Sequence, residues 1–279
     1  MAWTLACVGD LHAGSTLGLH PLAGSALDDG GTYHPTKGQR WLWDKWNGKF
    51  WPRVADTRRD RLALLLNGDL VDGGHHHGTT QATSGNMSIQ LDILDTLLEP
   101  ALALKPDLIV ITRGTAVHTG ASACFEELAA KRLRERGLPV HPHKSTGALT
   151  WWHFTAEFGG VLIDMAHHGQ GLPKRGWTRK NGANLHAADI FFKHALAKRR
   201  CPDLVLRSHI HVHGDSLDNY PVRYIALPAW QLKTEFGHRI AAGGEFADIG
   251  GVIAQCEDGN LTVDTQLYPA DPAPVEKFA

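Results

Sequence analysis

Three histidines occupy every second position of RSHIHVHG, residues 207–214, directly after the apolar stretch DLVL. In an extended segment alternate side chains point the same way, so His209, His211 and His213 could converge on one point. Neutral imidazole is a common metal ligand, and this convergence would favour a metal site. The alternative is a polar strand end with solvated histidines, and this stretch alone does not decide between the two.

Four other apolar stretches, WTLACV, LALLLN, DLIVIT and VLIDMA, also end in acidic residues or histidines. The residues that follow them, in chain order, are Asp10 and His12, then Asp69 and Asp72, then His118, then His167 and His168. Burying such groups without partners would be costly, whereas metal ions would satisfy them together. Carboxylates and imidazoles without a thiolate suit divalent Mn, Fe, Zn or Ni. One Asp bridging two ions about 3.5–4 Å apart is the layout of a two-metal hydrolase.

The segments that carry these residues predict the fold class. Apolar runs of four to eight residues rich in Val, Ile and Leu are typical of strands covered on both faces. Helical spacing recurs between them, at 87–104, at 121–137 (closed by Gly137) and at 187–200. Strands alternating with helices predict a layered α/β architecture with sites beyond the carboxyl ends of the strands. The segments 222–230, 250–257 and 259–268 predict further strands, as an antiparallel continuation of a sheet.

Composition restricts the function classes. The 279 residues, 43% hydrophobic, can bury a sizeable core, and we expect a single domain over 1–279 with an insertion at about 14–60. A formal charge of −1 excludes a global field for nucleic acid or an anionic membrane. The four cysteines form no CxxC pair, which favours a reducing compartment. With no signal peptide and no apolar run of about 18 residues, a soluble cytoplasmic protein is expected.

The motifs GDLHAG, NGDLVDGG, RGTAVH, AHHG and RSHIHVHG, in this order, resemble the calcineurin-like metallophosphoesterase superfamily. The resemblance spans residues 3–214, most of the chain. It implies a four-layer αββα sandwich with a dinuclear metal site at the carboxyl ends of the strands. It also implies hydrolysis of a phosphate ester by a hydroxide that bridges the two ions. No Ser or Cys nucleophile is needed for such a reaction.

The resemblance assigns roles residue by residue. Asp10, His12 and His211 match the ligands of one metal, Asp69 the bridging carboxylate, and His209 a ligand of the second metal. His167 is preferred for the remaining histidine position, with His168 as the alternative, and Asp72 matches a supporting residue. We expect two divalent ions, Mn first, with Fe, Zn, Ni or Co as alternatives.

The third motif departs from the family pattern. Residues 114–118, GTAVH, replace GNH(D/E), so the Asn that ligates the second metal is absent. The departure is similar to a divergent branch of the superfamily also found in phage and prophage sequences. Either the Thr115 hydroxyl or a water takes the place of the Asn. His118 either keeps the family role, acting on the leaving oxygen, or has become a ligand. The run His75–His77 is interpreted as a solvated or substrate-facing loop.

Two local segments bear on the substrate. The segment 171–182 follows the His-His-Gly motif directly, and we predict that Lys174, Arg175, Trp177 and Arg179 contact substrate. In the insertion, four tryptophans among basic residues either stack on bases or belong to an amphipathic helix packed on the core; they are Trp41, Trp43, Trp46 and Trp51. These features favour a phosphodiester, in single-stranded nucleic acid or a nucleotide. A phosphomonoesterase and a non-catalytic scaffold are the alternatives, and the sequence does not indicate an oligomeric state.

Overall fold

The computed structural model describes residues 1–74, 81–169, 171–172, 178–235 and 247–270. The run His75–His77, and Lys174, Arg175 and Trp177 of the basic segment, lie outside the described residues. Among the described helices, none combines the length and apolar character needed to span a membrane.

The first sheet contains the strands that carry the first three motifs. Its spatial order is β12-β11-β1-β4-β5. The strands are β1 (Trp3–Val8), β4 (Arg61–Asn67), β5 (Leu108–Thr112), β11 (Ile249–Glu257) and β12 (Asn260–Tyr268). β1, β4 and β5 run parallel, and the β11–β12 hairpin pairs antiparallel with β1. Because β1, β4 and β5 are parallel, the ends that carry the motifs lie at one edge of the sheet.

The second sheet has the order β6-β7-β8-β10-β9. Its strands are β6 (Phe154–Phe158), β7 (Val161–Met165), β8 (Leu204–Arg207), β9 (Gly214–Asp215) and β10 (Arg223–Ala226). The prediction of an antiparallel tail is confirmed for β11 and β12, whereas β10 pairs antiparallel with β9 on one side and parallel with β8 on the other. A short hairpin, β2 (Ser25–Ala26) and β3 (Thr32–Tyr33), lies apart from both sheets.

Helical elements occupy the three ranges predicted from spacing, with shifted ends, and also occur in the insertion and at the third motif. They are α1 (Lys37–Lys45), a π-turn (Trp46–Phe50), α2 (Trp51–Thr57), α3 (Met87–Leu102), α4 (Ala116–Thr119), a 3₁₀ turn (Ala121–Ala123), α5 (Cys124–Glu135) and α6 (Arg179–Leu196). Thr36 begins α1 with a capping box, and Gly137, with φ +80°, follows the end of α5 as expected. α6 begins eight residues before the predicted start.

Alternation along the strands explains the continuous apolar runs. In β4, Leu64 and Leu66 pack in the core beneath the helices, whereas Leu65 points into the core between the two sheets. In β8, Leu204 points between the sheets and Val205 packs under α6. Both faces of each sheet are therefore covered. The order helices, sheet, sheet, helix confirms the predicted αββα sandwich.

The tryptophans of the insertion belong to the core. Trp46 and Trp51 are buried, and the Trp46 ring lies edge-on to Trp230 with ring centroids 4.8 Å apart. The Trp46 indole N–H donates to the Leu97 carbonyl at 2.8 Å. Trp41 and Trp43 are half-buried and pack against the same core. The core-packing interpretation is thus correct, and base stacking is wrong for Trp46 and Trp51, which no ligand can reach.

Candidate metal centre

The motif residues lie together because each follows the C-terminal end of a strand, and the five ends, from two packed sheets, are close to one another. β1, β4 and β5 supply the first three motifs, and β7 and β8 supply the last two. The buried residues of this cluster include Asp10, His12, Asp69 and His167, each about 1% exposed or less. So many buried ionisable groups at one point require mutual or external compensation.

The backbone of the cluster has an unusual conformation. Five of its residues have positive φ, and they are Asp10 (52°), His12 (47°), Asp69 (50°), His209 (76°) and His211 (54°). Left-handed backbone costs an L-residue about 1–2 kcal/mol, and such strain clusters at functional sites. β8 ends at Arg207, so the prediction that His209 and His211 converge by alternation in an extended segment is wrong. Two left-handed residues turn them toward the cluster instead.

The first group of donors is formed by Asp10, His12 and His211, whose ligand atoms lie within 4.8 Å of one another. The Nε2 atoms of His12 and His211 are 3.2 Å apart. His12 Nδ1 donates to Asp72 Oδ1 at 3.2 Å, which leaves the lone pair on Nε2. Asp72 therefore supports His12, as the sequence indicated.

The carboxylate of Asp10 shows that this group fits a cation. Its buried Oδ1 accepts no well-aligned hydrogen bond from a described residue. The Nε2 atoms of His211, His167 and His12 surround this oxygen at 3.3, 3.9 and 4.0 Å. A carboxylate oxygen and three imidazole nitrogens that surround it form a donor set for a divalent ion.

The second group is formed by His167, His168 and His209, next to Asp69. Asp69 Oδ2 lies 3.0 Å from His167 Nε2, whose ring is oriented by a 2.7 Å hydrogen bond from Nδ1 to the Asn67 carbonyl. Both candidates for the lone-histidine position are thus brought to the group, His167 buried and His168 exposed. His213 lies in neither group, and its Nδ1 hydrogen-bonds to the Ala226 carbonyl.

Thr115, which stands where the family has Asn, lies among the donors of the second group. Its hydroxyl oxygen is 2.9 Å from His209 Nδ1 and 3.1 Å from Asp69 Oδ2. It is also 3.3 Å from His168 Nε2 and 3.4 Å from His167 Nε2. The threonine hydroxyl therefore lies within 3.4 Å of donor atoms of all three histidines of this group and of Asp69.

Asp69 joins the two groups. It clusters with Asp10 and His167, and also with His12 and His118. Its Oδ1 accepts a 2.6 Å hydrogen bond from the Thr115 N–H, which fixes the carboxylate. A Cβ at Gly114 would collide with that carboxylate and with the Asp69 amide nitrogen, so the third motif requires glycine there.

The electrostatics of the cluster favour added positive charge. Burial would raise the pKa of Asp69, but the imidazoles of His167, His12 and His118 hold it below its ordinary value. Burial would lower the pKa of His167, but the carboxylates of Asp69 and Asp10 raise it to about 10. The two buried carboxylates thus stabilise positive charge between them, which either a proton on His167 or a bound divalent ion can supply.

His118 lies at the side of the cluster. Its Nδ1 donates to the Asp72 carbonyl at 2.7 Å, and a ring nitrogen lies within 4.8 Å of ligand atoms of His12 and Asp69. Its ring is edge-on to His12, with centroids 4.5 Å apart. Burial and the neighbouring His12 lower the pKa of His118 to about 4. The position fits contact with a substrate oxygen and also ligation.

Sequence reasoning missed a buried glutamate beneath the third motif. Glu126 of α5 is fully buried, and its Oε2 accepts a 2.7 Å hydrogen bond from the Gly114 N–H. Burial, together with the charge of Asp69, raises the pKa of Glu126 to about 8. The sequence did contain an indication that Glu126 is buried, because its helical spacing places it on the same face as the buried Ala130 and Leu133.

A cavity of about 350 Å³ opens beside the second group. It is lined by His168, Gly169, His186, Asp189, Ile190, Lys193, Arg207 and Tyr224. Arg179, predicted to bind substrate, is the first residue of α6, the helix that supplies four of these residues. The cavity is large enough for a small organic group next to His168.

Comparison with known proteins gives likeness at the level of the fold. Among solved structures, the chain resembles a dimetal phosphatase. That protein, from Danio rerio, is 10% identical over 94% of this chain and 95% of its own, with a TM-score of 0.45. Vps29 complexed with Zn²⁺ from Entamoeba histolytica is 10% identical over 95% and 98%, with a TM-score of 0.41. A hypothetical protein from Pyrococcus horikoshii is 9% identical over 96% and 89%, with a TM-score of 0.45.

No family model and no curated protein matches the sequence. At TM-scores below 0.5 the solved structures carry no argument about the chemistry of this chain, which rests on its own side chains. The αββα layers agree with the fold that the sequence resemblance implied, and the Asp and His residues of the five motifs lie together at one place in it.

Proposed function

We propose that this protein is a dinuclear metal-dependent phosphoesterase that hydrolyses phosphodiester bonds. The observation that carries the proposal is the pair of donor groups joined by the buried Asp69. Retention of carboxylate and imidazole donors in both groups is difficult to reconcile with a scaffold that has lost its metal. Two divalent ions, when bound, supply an activated water and neutralise the charge that develops on the phosphoryl oxygens.

We assign the donor side chains to the two ions as follows. Asp10, His12 and His211 would hold one ion, and His167 and His209 the other, with Asp69 shared between them. His168 is the alternative to His167, and the Thr115 hydroxyl, or a water in its place, would complete the donors to the second ion. A donor set with oxygen and nitrogen but no sulfur suits divalent Mn, Fe, Zn, Ni or Co, and manganese is the first of these to test at both positions.

Two supporting contacts keep the ligands in the required tautomer. Asp72 accepts from His12 Nδ1, and the Asn67 carbonyl accepts from His167 Nδ1, so each ring presents Nε2 to its ion. Asn67 is itself fixed by the Ser208 hydroxyl, which accepts from its amide at 2.8 Å. His118, at the side of the cluster, would contact the leaving oxygen of the substrate.

The substrate side of the proposal is a nucleotide diester or single-stranded nucleic acid. The basic segment with Lys174 and Arg175 follows His167 and His168 by only a few residues, so cations would lie beside the scissile phosphate. The cavity next to His168 would receive the group beyond that phosphate. A substrate that extends beyond the scissile phosphate on both sides could fill the cavity and still contact the basic segment, which favours a diester over a small monoester.

The test is hydrolysis of bis(4-nitrophenyl) phosphate and of 4-nitrophenyl phosphate, each with manganese and with chelator. We expect diester hydrolysis that chelator abolishes and manganese restores. Good monoester turnover without diester turnover would assign a phosphomonoesterase. Full activity in chelator would refute the metal-dependent reaction itself. Single-stranded DNA, RNA and cyclic nucleotides then define the class of diester.

A further inference from the structure

Helix α6 exposes an apolar stripe on its outer side. Its inner side is closed, because Ala183 and Ala187 are fully buried against the second sheet. On the opposite side, Leu185, Phe192 and Leu196 are exposed by 62, 60 and 84%. Spacings of seven and four residues place these three side chains on one face over about 17 Å of helix. Three large apolar side chains aligned on one exposed face indicate an interaction site.

The charged residues beside the stripe restrict what can cover it. Asp189 and Lys193 lie on one flank and form an i,i+4 ion pair of 2.6 Å. Ala188 and Ala195 lie on the other flank, and these small side chains permit close approach of another helix. One flank is thus both acidic and basic, and the other is small and apolar.

We propose that α6 forms a symmetric antiparallel helix pair with a second copy of this chain. In such a pair the two-fold axis places Leu185 of one copy opposite Leu196 of the other. The same register brings Asp189 within one residue of Lys193 of the second copy, on the same flank. A parallel two-fold pair would instead place the charged flank of each copy beside the small apolar flank of the other, without a charge partner, so the charge pattern selects the antiparallel arrangement.

The two Phe192 side chains lie close to the proposed axis. In this register their Cα atoms are offset by about 4.5 Å along the helices, so the rings can pack together at the centre of the interface. One helix from each copy gives a small interface, for which we expect a dissociation constant on the order of micromolar or weaker. Asp189 and Lys193 also line the cavity beside His168, so the second copy lies near its rim.

Sedimentation of the full-length protein over a range of concentrations tests the helix pair. We expect a reversible species with twice the 30.5 kDa mass of the chain. Phe192→Asp should raise the dissociation constant at least on the order of a hundredfold, because a central contact is removed twice. Its circular dichroism should be unchanged, since the side chain is exposed. A wild type that stays monomeric at several hundred micromolar, or a Phe192→Asp variant that dimerises as well as wild type, would overturn the proposal.

Charge exchange tests the register independently. Asp189→Lys and Lys193→Asp should each weaken self-association, because each opposes like charges. Mixing the two variants should give heterodimers, and the double exchange should restore the homodimer. Equal association of all four proteins would refute the antiparallel register. Binding of monomeric wild type to anionic phosphatidylserine vesicles, lost in Phe192→Asp, would assign the stripe to a membrane surface and refute the dimer.

Discussion

Asp69→Asn tests the two-metal site most directly, since Asp69 is the carboxylate that joins the two donor groups. The amide oxygen can keep the 2.6 Å hydrogen bond from the Thr115 N–H. The NH₂ group then takes the place of Oδ2, 3.0 Å from His167 Nε2, and presents a donor where both ions need an anionic ligand. The side chain is about 1% exposed, so water cannot substitute for the lost charge.

The size of the effect follows from that burial. Removing one partner of a buried charge pair costs about 3–5 kcal/mol. Since 1.4 kcal/mol is tenfold, the dissociation constant of at least one ion should rise roughly 100- to 4000-fold. Hydrolysis of the diester should fall by at least about a thousandfold, because both ions depend on the same carboxylate.

The matched control is Asp72→Asn, a buried Asp three residues further along the chain. Asp72 accepts from His12 Nδ1 at 3.2 Å but belongs to neither donor group. Changing such a supporting residue lowers metal affinity by about 10- to 100-fold, so both ions should still bind at high metal concentration.

The measurements are metal content after gel filtration, metal affinity by competition with a chelator, and diester hydrolysis at saturating manganese. Circular dichroism in chelator establishes that both variants fold. If Asp69→Asn keeps two ions and its turnover stays within tenfold of wild type, Asp69 does not bridge the ions and the reasoning is wrong.

Three further predictions concern residues around the cluster. His118→Asn should slow diesters with poor leaving groups far more than those with nitrophenolate, with metal content intact; loss of metal would show that His118 is a ligand. Between pH 4.5, the ordinary pKa of a glutamate, and about pH 8, Glu126 is protonated in the folded protein but ionised in the unfolded chain. The folded wild type therefore binds more protons than the unfolded chain, and its free energy of unfolding falls as the pH rises through this range. The free energy of unfolding of Glu126→Gln, measured in urea without metal, should therefore rise relative to that of wild type by up to about 1.4 kcal/mol per pH unit. A difference between the two proteins that stays constant from pH 5 to 8 would contradict the raised pKa of Glu126. Lys174→Ala with Arg175→Ala should weaken oligonucleotide cleavage and its salt dependence but spare a small chromogenic diester, whereas Lys198→Ala with Arg199→Ala, at the far end of α6, should change neither.

The sequence by itself predicted that the Asp and His residues of the motifs lie together at the carboxyl ends of the parallel strands. Each apolar run is local and continuous, and the Asp or His that follows it is adjacent in the chain. Parallel strands bring their carboxyl ends to one edge of a sheet, so the neighbours of Asp10 and Asp69 were predictable without coordinates. The apolar runs predict only a layered α/β architecture with strands covered on both faces, and the αββα order came from the family resemblance of the motifs.

Tertiary structure decided what depends on contacts between distant parts of the chain. Local pattern does not specify which sheet a strand joins, and β10 pairs with β8 and β9 in the second sheet, whereas β11 and β12 belong to the first. The left-handed backbone of His209 and His211 is strained, and only the surrounding structure holds it. By residue type alone, Glu126 cannot be told apart from the other polar residues of its helix. Its pKa is raised because α5 buries the side chain against Gly114. Burial and backbone strain are properties of the packed chain, so they become definite only when the sheets and helices meet.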